Sequence, residues 1–320
     1  MSVAEVIAGR LADGDLVIID GGTGTQLQAE GVPMDDEAWS GRASLERPEV
    51  VQLVHEAYVR AGAEVIIANT FAASRAALEP AGLGSRVAEA NRNAVGAAQR
   101  ARAAAAAGRP VAIAGSMSSF CPIAMHGRGA AGSPAGGPAA PDPRFPSLAD
   151  YREQAALLAE AGVDLIALEL MEAPGYGRAA LQAAAETGLP VWLGISPVRR
   201  DDGTLSADPE LGEGDSFEEL VSQLAAPALA AVNVMHAKPD VALEAIDIIR
   251  RHFAGPIGVY AESGGWAAPN WVFDGLSPDQ YLQEAIGWAD HGAQLIGGCC
   301  GVGPEHIRIL ANRLARATPP

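Results

Sequence analysis

Eight short apolar runs recur along the chain, and longer segments with helix-like, amphipathic sequence separate them. The runs are residues 16–20, 64–69, 111–116, 164–169, 191–196, 230–234, 257–260 and 294–297. Each run is almost continuously apolar, which is typical of parallel strands buried on both faces. Eight β–α repeats predict an α/β fold of the (β/α)8 TIM-barrel type, with its chemistry at the C-terminal ends of the strands. The pattern alone also permits a doubly wound open sheet.

The segments between the runs predict helices, most clearly at residues 49–61, 147–161, 217–224 and 278–290. A glycine stands just before the next strand after three of them: Gly62, Gly162 and Gly292. Because glycine adopts the left-handed conformation without a steric penalty, each of these residues predicts a helix end.

Composition limits the class of protein. The 320 residues contain 49% hydrophobic and 19% charged residues, which predicts one large packed core and excludes global disorder. A formal net charge of −17 argues against nucleic acid and anionic membrane surfaces as partners. Neither a signal peptide nor an apolar stretch of about 18 residues is present, so no membrane span is predicted. Three cysteines, an odd number, favour a reducing cytoplasm over a disulfide framework.

We therefore predict a single domain over residues 1–320, located in the cytoplasm, for which a homo-oligomer is compatible with the sequence. Residues 116–146 are rich in Gly, Pro and Ala and are too long for an ordinary connection, so they predict a loop insertion or lid. Residues 197–215 carry a charge run at 199–203 and acidic residues at Glu213 and Asp215, which we interpret as a solvated loop.

Polar or metal-binding side chains stand at or just beyond the ends of all eight runs. They are Asp20, Asn69, Ser116, Glu169, Ser196, Asn233, Glu262 and the pair Cys299 and Cys300. A residue of this kind at one strand end is an ordinary turn former or helix cap. Their occurrence at every predicted strand end indicates a shared active site at one end of the barrel.

Cys299 and Cys300 lie in a glycine-rich stretch directly after the last run. Adjacent side chains of a regular strand point to opposite faces, so two such thiols cannot share one ion. The flanking glycines permit the backbone to turn out of the sheet, and both sulfurs can then converge on a soft metal, foremost zinc. Two buried apolar cysteines or a vicinal disulfide are the alternatives.

A second glycine-rich stretch, Asp20-Gly21-Gly22-Thr23-Gly24-Thr25, follows the first run. It lacks the lysine and the spacing of a nucleotide-phosphate loop. The carboxylate of Asp20 instead indicates contact with a cationic group, such as the ammonium group of an amino acid.

Taken together, these motifs resemble the homocysteine S-methyltransferase family over nearly the whole chain. The resemblance rests on residues 20–25, Trp39-Ser40, Ala61-Gly62-Ala63-Glu64 with Asn69-Thr70-Phe71, Ala114-Gly115-Ser116, residues 161–164 with Glu169, Asp202-Gly203-Thr204, and Gly297-Gly298-Cys299-Cys300 with Pro304-Glu305-His306-Ile307. It implies a zinc-dependent (β/α)8 enzyme that moves a methyl group from a small sulfonium donor, S-methylmethionine or S-adenosylmethionine, to the thiol of homocysteine. The product is methionine, and the partners are an amino-acid thiol and a methyl donor.

The resemblance also implies roles for individual residues. Asp20 and Glu169 would hold the amino group of the acceptor, and Cys299 and Cys300 would bind Zn²⁺. The remaining predicted substrate-binding residues are Gly21, Gly22, Thr23, Asn69, Asn233 and Glu262.

One position departs from the family pattern at the metal site. The family places a third zinc-binding cysteine directly after an asparagine at the end of the sixth strand, but here Val234 follows Asn233. Valine has no donor atom, so the usual three-thiolate site cannot form. His236 is our predicted third ligand and Cys121 is the alternative, because imidazole and thiolate both bind zinc. A site with weak zinc binding, or none, is the remaining alternative.

Two further departures change the pocket. Glu262 replaces the asparagine of the family's Tyr-Pro-Asn-Ser-Gly, and Leu170 replaces the threonine after Glu169. Glu262 is either an added carboxylate of the pocket or a solvated loop residue. The rival functions are therefore a diverged family enzyme with another small methylated or sulfur-containing substrate and an altered or absent metal, and a catalytically silent barrel that binds an amino acid.

Overall fold

The computed structural model of the chain describes residues 1–120, 145–207, 216–267 and 270–314. The strands are β1 (Val17–Ile18), β2 (Val65–Ala68), β3 (Ala112–Ser118), β4 (Leu165–Glu169), β5 (Val191–Ile195), β6 (Pro197–Arg199), β7 (Leu205–Ala207), β8 (Ala231–Met235), β9 (Ile257–Tyr260), β10 (Gly265–Ala267), β11 (Asn270–Val272) and β12 (Leu295–Ile296). The α-helices are Val3–Ala12, Thr23–Ala29, Ala43–Glu46, Pro48–Ala61, Arg75–Leu78, Val87–Ala105, Leu148–Ala161, Pro174–Ala185, Phe217–Leu224, Ala242–His252, Pro278–Asp290 and Pro304–Leu314, and Gly84–Arg86 and Pro239–Val241 are short 3₁₀ helices.

Eight of the strands form one parallel sheet in the order β1-β12-β9-β8-β5-β4-β3-β2. A parallel bridge between Ile19 and Val65 joins the first strand to the second, and the Asp20 amide donates to the Val65 carbonyl at 3.0 Å. The sheet therefore curls into a barrel with helices outside, and the (β/α)8 prediction is confirmed. All eight predicted runs contain a strand of this sheet, so the open-sheet alternative is wrong.

Two hydrophobic layers explain why the runs are almost continuously apolar. Inward-pointing residues such as Ile19, Ala114 and Ala167 fill the barrel. The alternate residues, such as Ile18, Val232 and Val234, pack against the surrounding helices in a larger cluster. Because both faces of each strand are buried, neither face tolerates a regular row of polar residues.

The ends of the helices follow from local sequence. Ser147 starts the helix Leu148–Ala161 with a capping box, and Gly62 and Gly162 end their helices in the left-handed conformation, as predicted. The third helix, Pro278–Asp290, has His291 as its C-cap residue. Gly292, the next residue, takes the left-handed conformation at φ 93°.

The charge run at 199–203 is exposed to solvent, as interpreted, but the first part of the stretch 197–215 is not an irregular loop. Strands β6 and β7 form an antiparallel hairpin there, with the charge run at its exposed turn. Arg199 in this hairpin donates to Glu244 at 2.9 Å. Residues 208–215, which include Glu213 and Asp215, lie outside the described residues. Most of the predicted insertion, residues 121–144 with Cys121, also lies outside them.

Acid is expected to destabilise this fold through His55, which is fully buried in the helix Pro48–Ala61. Its ring nitrogens have no hydrogen-bond partner among the described residues, and burial lowers the pKa of the imidazole to about 4. The unfolded chain takes up a proton near pH 6.5 and the folded chain does not, so stability falls between pH 6.5 and 4, by about 3 kcal/mol in total.

Urea unfolding at pH 7.5 and pH 4.5 measures this effect. In His55→Phe the acid-induced loss should be about 2 kcal/mol smaller than in the wild type, because a benzyl side chain has no proton to bind. Equal losses in the two proteins would contradict the assignment.

In the described part of the chain, no helix is both long enough and apolar enough to cross a membrane.

Candidate active site

The two cysteines lie past the end of β12, where the chain has already left the sheet. The Cys299 amide donates to the Ala261 carbonyl at 2.8 Å, and the Ser263 amide donates to the Cys300 carbonyl at 2.8 Å. Gly301 follows at φ 77°, a left-handed conformation that a side chain would strain. These constraints turn both side chains the same way. The sulfur atoms are 3.9 Å apart and both thiols are free, so they are not joined in a disulfide.

His236 completes a group of three potential metal ligands with these thiols. Its Nδ1 lies 3.8 Å from Cys299 Sγ, and the ligand atoms of His236, Cys299 and Cys300 all lie within 4.8 Å of one another. Tetrahedral zinc, with bonds of about 2.3 Å to sulfur and 2.0 Å to nitrogen, places its ligands about 3.5 to 3.8 Å apart. The separations of 3.8 Å between His236 and Cys299 and 3.9 Å between the two thiols are close to this range.

The candidate third ligand, His236, stands in a turn and not in a strand. Val234 is fully buried in the helix-facing cluster, so its side chain points away from the thiols. His236 stands one residue beyond β8 at φ 46°, and this left-handed conformation directs its ring to the inner side. His236 therefore presents beside the two thiols a donor atom that Val234 lacks.

The imidazole of His236 and the thiol of Cys299 both favour their protonated forms. Burial lowers the pKa of His236, but Cys299, Glu262 and Glu172 outweigh this effect and raise the pKa to about 9. A hydrogen bond with Cys300 and burial raise the pKa of Cys299 well above its usual value, although His236 opposes this. A metal ion that binds here would therefore have to displace protons from His236 and Cys299.

Asp20 and Glu169 form a second polar group at the same end of the barrel. Both carboxylates are buried, and burial followed by mutual repulsion holds the pKa of Asp20 well above its usual range. Burial raises the pKa of Glu169 to about 7, against the hydrogen bonds that Ser116 and Tyr260 donate. Asp20 Oδ2 accepts from the Ile67 amide at 2.9 Å, while Oδ1 has no partner among the described residues.

The glycines after β1 bring this carboxylate pair close to the cysteines. The Gly22 amide donates to the Val302 carbonyl at 3.0 Å, and a Cβ on Gly22 would lie 2.6 Å from the Cys299 carbonyl oxygen. A Cβ on Gly21 would clash with the Val302 carbonyl. Thr23 makes one long contact with the Ile67 carbonyl, at 3.5 Å. These residues pack the first loop against the last one, and their direct contact with a substrate remains a prediction.

Asn69 and Asn233 differ in how their amides are used. Asn69 exchanges hydrogen bonds with Ser40 and donates to Ser44 Oγ at 3.0 Å, which anchors the segment that contains Trp39. Asn233 points into the barrel, and its two polar atoms have no partner among the described residues. Only Asn233 thus has amide atoms free for a ligand or a water molecule, and substrate contacts by both asparagines remain predictions.

Glu262 lies at the metal-ligand group rather than in a solvated loop. Its side chain is only 12% exposed, with Oε2 3.7 Å from His236 Nδ1 and Oε1 2.7 Å from Lys238 Nζ. Glu262 is therefore sheltered beside the metal-ligand group, and its contact with a substrate remains a prediction.

Sequence reasoning missed an aromatic cluster formed by Trp39, Phe71, Phe120 and Trp266. The ring centroids of Trp39 lie 5.9, 6.3 and 6.4 Å from those of Phe71, Phe120 and Trp266, respectively. Phe71 also packs against the barrel-interior cluster that Cys299 joins. Only 5% of the residues are aromatic, so four rings after different strands were a usable signal.

Glu172 was also missed. It is fully buried just beyond β4, and its charge acts on the imidazole of His236. Its position three residues past Glu169 was the available signal. Cys121, the alternative third ligand, lies outside the described residues.

Comparison with known proteins agrees with this geometry. The model of the family described as homocysteine S-methyltransferase matches residues 17–314. Homocysteine S-methyltransferase 1 of Zea mays is 31% identical over 99% of both chains, and selenocysteine methyltransferase of Astragalus bisulcatus is 27% identical over 98% of this chain and 95% of its own. The metallated form of the homocysteine methyltransferase MmuM of Escherichia coli superposes with a TM-score of 0.69 at 26% identity, covering 93% of this chain and 96% of its own.

The matched residues span all eight barrel strands and the loops that carry the candidate site. Family, fold and site thus agree across the same stretch of chain. The chain belongs to the homocysteine S-methyltransferase family and is a methyltransferase.

Proposed function

We propose that this enzyme transfers a methyl group from a small sulfonium donor to the thiol of homocysteine, giving methionine. One observation carries the proposal: a soft metal-ligand group and a pair of buried carboxylates lie at the same barrel end. The Gly298 amide, next to Cys299, donates to the Asp20 carbonyl at 3.0 Å, which ties the two groups together. Homocysteine carries a thiol and an ammonium group on one short chain. The thiol is a partner for the metal-ligand group, and the ammonium group is a partner for the carboxylates.

The donor set fits zinc as the resident cofactor. Two thiols and one imidazole leave a fourth position open, as catalytic zinc sites do. When bound there, zinc would act as a Lewis acid that favours the thiolate form of the acceptor, and the thiolate is the nucleophile. His236, Cys299 and Cys300 are the residues that we propose to hold it.

The chain's own residues would orient the acceptor. The carboxylates of Asp20 and Glu169 would pair with the ammonium group, which satisfies the buried Asp20 Oδ1 atom and favours ionisation of both acids. The acceptor sulfur would then attack the methyl carbon as the bond from that carbon to the donor sulfur breaks. Both substrates need alignment and exclusion of water more than proton transfer, because the donor already carries its positive charge.

The aromatic cluster is the proposed donor subsite. Aromatic faces attract cations within about 6 Å of the ring centroid, and they attract a desolvated cation most strongly. Trp39, Phe71, Phe120 and Trp266 would therefore favour a sulfonium group over a neutral thioether. This discrimination helps turnover, because the product released from S-methylmethionine or S-adenosylmethionine is a neutral thioether at that sulfur.

The free thiols of the site fit the reducing cytoplasm as the location of the enzyme.

A methyl-transfer assay tests this proposal. Zinc-loaded protein is incubated with L-homocysteine and either S-methylmethionine or S-adenosylmethionine, and methionine is measured by mass spectrometry with a deuterated donor methyl group. We expect labelled methionine with at least one of the two donors, and loss of the activity after chelation with recovery on readdition of zinc.

The rival functions predict other results. A silent barrel would bind methionine or homocysteine in calorimetry and form no product with either donor. A diverged enzyme, with an altered or absent metal, would leave homocysteine unmethylated and act on another small methylated or sulfur-containing compound. Either result would overturn the proposed acceptor.

A further inference from the structure

Lys238 is the only lysine of this chain, in which lysine and arginine together number 22. It follows His236 by two residues, and its ammonium group contacts Glu262 Oε1 at 2.7 Å and the Gly264 carbonyl at 2.6 Å. The other 21 of these residues are arginines, and Lys238 stands beside the metal-ligand group.

The contact is built on an ordered scaffold. The Glu262 amide donates to the Ala237 carbonyl at 3.0 Å, so the turns after β8 and β9 are joined by a main-chain bond next to the ion pair. Pro239 fixes the backbone directly after Lys238. Glu262 is 12% exposed and Lys238 is 56% exposed, so the carboxylate is sheltered and its cationic partner covers it from the solvent side. Ordinary surface ion pairs lack this shelter and contribute little.

The second oxygen of Glu262 lies on the side of the metal-ligand group. Oε2 lies 3.7 Å from His236 Nδ1, which is itself 3.8 Å from Cys299 Sγ. A negatively charged acceptor sulfur that approaches these ligands therefore meets a carboxylate at close range. At low effective dielectric two like charges this close repel each other strongly, unless a cation offsets one of them.

We propose that Lys238 is a positioning residue that binds one oxygen of Glu262 and offsets its charge, so that the anionic acceptor sulfur can reach the metal-ligand group. The inference rests on the proposed function, since it concerns the acceptor of that reaction. Lys238 acts through Glu262 and does not itself touch the reacting atoms. Its loss should harm the enzyme because Glu262 is then left uncompensated, and removal of the Glu262 charge should repair that harm.

A double-mutant cycle tests the inference on the zinc-loaded protein. Lys238→Met should raise the KM for homocysteine about tenfold or more, with zinc content unchanged. Lys238→Met combined with Glu262→Gln should recover most of that loss, and Lys238→Arg should stay near wild type. Arg92→Met, which removes one exposed positive charge from the helix Val87–Ala105, is the matched control.

A spectroscopic readout separates acceptor binding from activity. In cobalt-substituted protein, titration with homocysteine changes the visible spectrum as a new sulfur joins the ligands, and Lys238→Met should shift this titration to higher concentration by the same factor. Unchanged binding in Lys238→Met would overturn the inference, and so would failure of Glu262→Gln to restore binding. Absence of the spectral change in the wild type would instead overturn the proposed function.

Discussion

Cys299→Ala and Cys300→Ala are each expected to abolish stoichiometric zinc binding and to lower methyl transfer about a thousandfold or more, since a metal centre of this kind contributes several kcal/mol. Both thiols are fixed by main-chain hydrogen bonds of their loop, and Cys300 is buried. Among the described residues, the only group of three potential metal ligands that lie this close together includes both thiols. Zinc is measured by elemental analysis of the purified protein, and activity by formation of labelled methionine.

His236 variants identify the third ligand in the same experiment. His236→Ala should lose zinc, and His236→Cys should retain it, because a thiolate supplies the donor that the imidazole gave. Cys121→Ala is the matched control, a change of the third cysteine that should leave zinc content unchanged. Retention of zinc in His236→Ala with its loss in Cys121→Ala would assign the ligand to Cys121 instead. Circular dichroism confirms that each variant is folded, and Cys→Ser changes provide a second variant at each thiol.

Removal of the buried charge at Asp20 or Glu169 is expected to weaken binding of homocysteine and methionine about a hundredfold, because an uncompensated ammonium group would then be buried. The variants are Asp20→Asn and Glu169→Gln, which keep the size of each side chain. Their zinc content should not change. Calorimetry with methionine measures the loss without any contribution from the chemical step.

The pH dependence of the same binding has a definite sign. Burial raises the pKa of Glu169 to about 7 in the empty pocket, and only the ionised carboxylate pairs with an ammonium group. Affinity for methionine should therefore rise as the pH increases from 6 to 8, and Glu169→Gln should flatten this rise. A pH dependence that persists unchanged in Glu169→Gln would contradict the assignment.

For Asp20, the stability of the fold should fall as the pH rises, whereas the affinity for methionine should increase. Its pKa is raised in the folded chain, so the folded state loses stability as the pH rises from the ordinary range of aspartate towards that raised value. Asp20→Asn removes this cost, and its melting temperature at pH 8 should exceed that of the wild type. A variant that binds substrate worse and folds better identifies a group kept for function.

Local patterns in the sequence were sufficient for the fold. The apolar runs predicted every barrel strand because a parallel strand buried on both faces has to be apolar along its whole length. Helix ends such as Gly162 were predictable because only glycine accepts the left-handed backbone at no cost. The hairpin of β6 and β7 was missed, since its short strands lie among charged residues that read as a loop.

The site was predictable in kind but not in detail. The strand-end residues Asp20 and Glu169, together with the two cysteines, identified a polar barrel end, and the motif order identified the family. Two features of the site arise from contacts between residues that are far apart in the sequence. The aromatic cluster joins Trp39 to Trp266, and Glu262 reaches the metal-ligand group only because the turns after β8 and β9 are adjacent.

The sequence by itself determined that the chain forms a barrel, that its end is polar, and that position 234 offers no donor atom. Only the tertiary structure shows which side chain lies beside the two thiols in its place. Alternation along a strand sends Val234 to the helices, and the left-handed turn beyond β8 brings His236 back to the two thiols. The local sequence determines which face of a strand each side chain points to, because side chains alternate between the two faces with a period of two residues. The convergence of three side chains from two distant loops is set by barrel closure, which no local pattern contains.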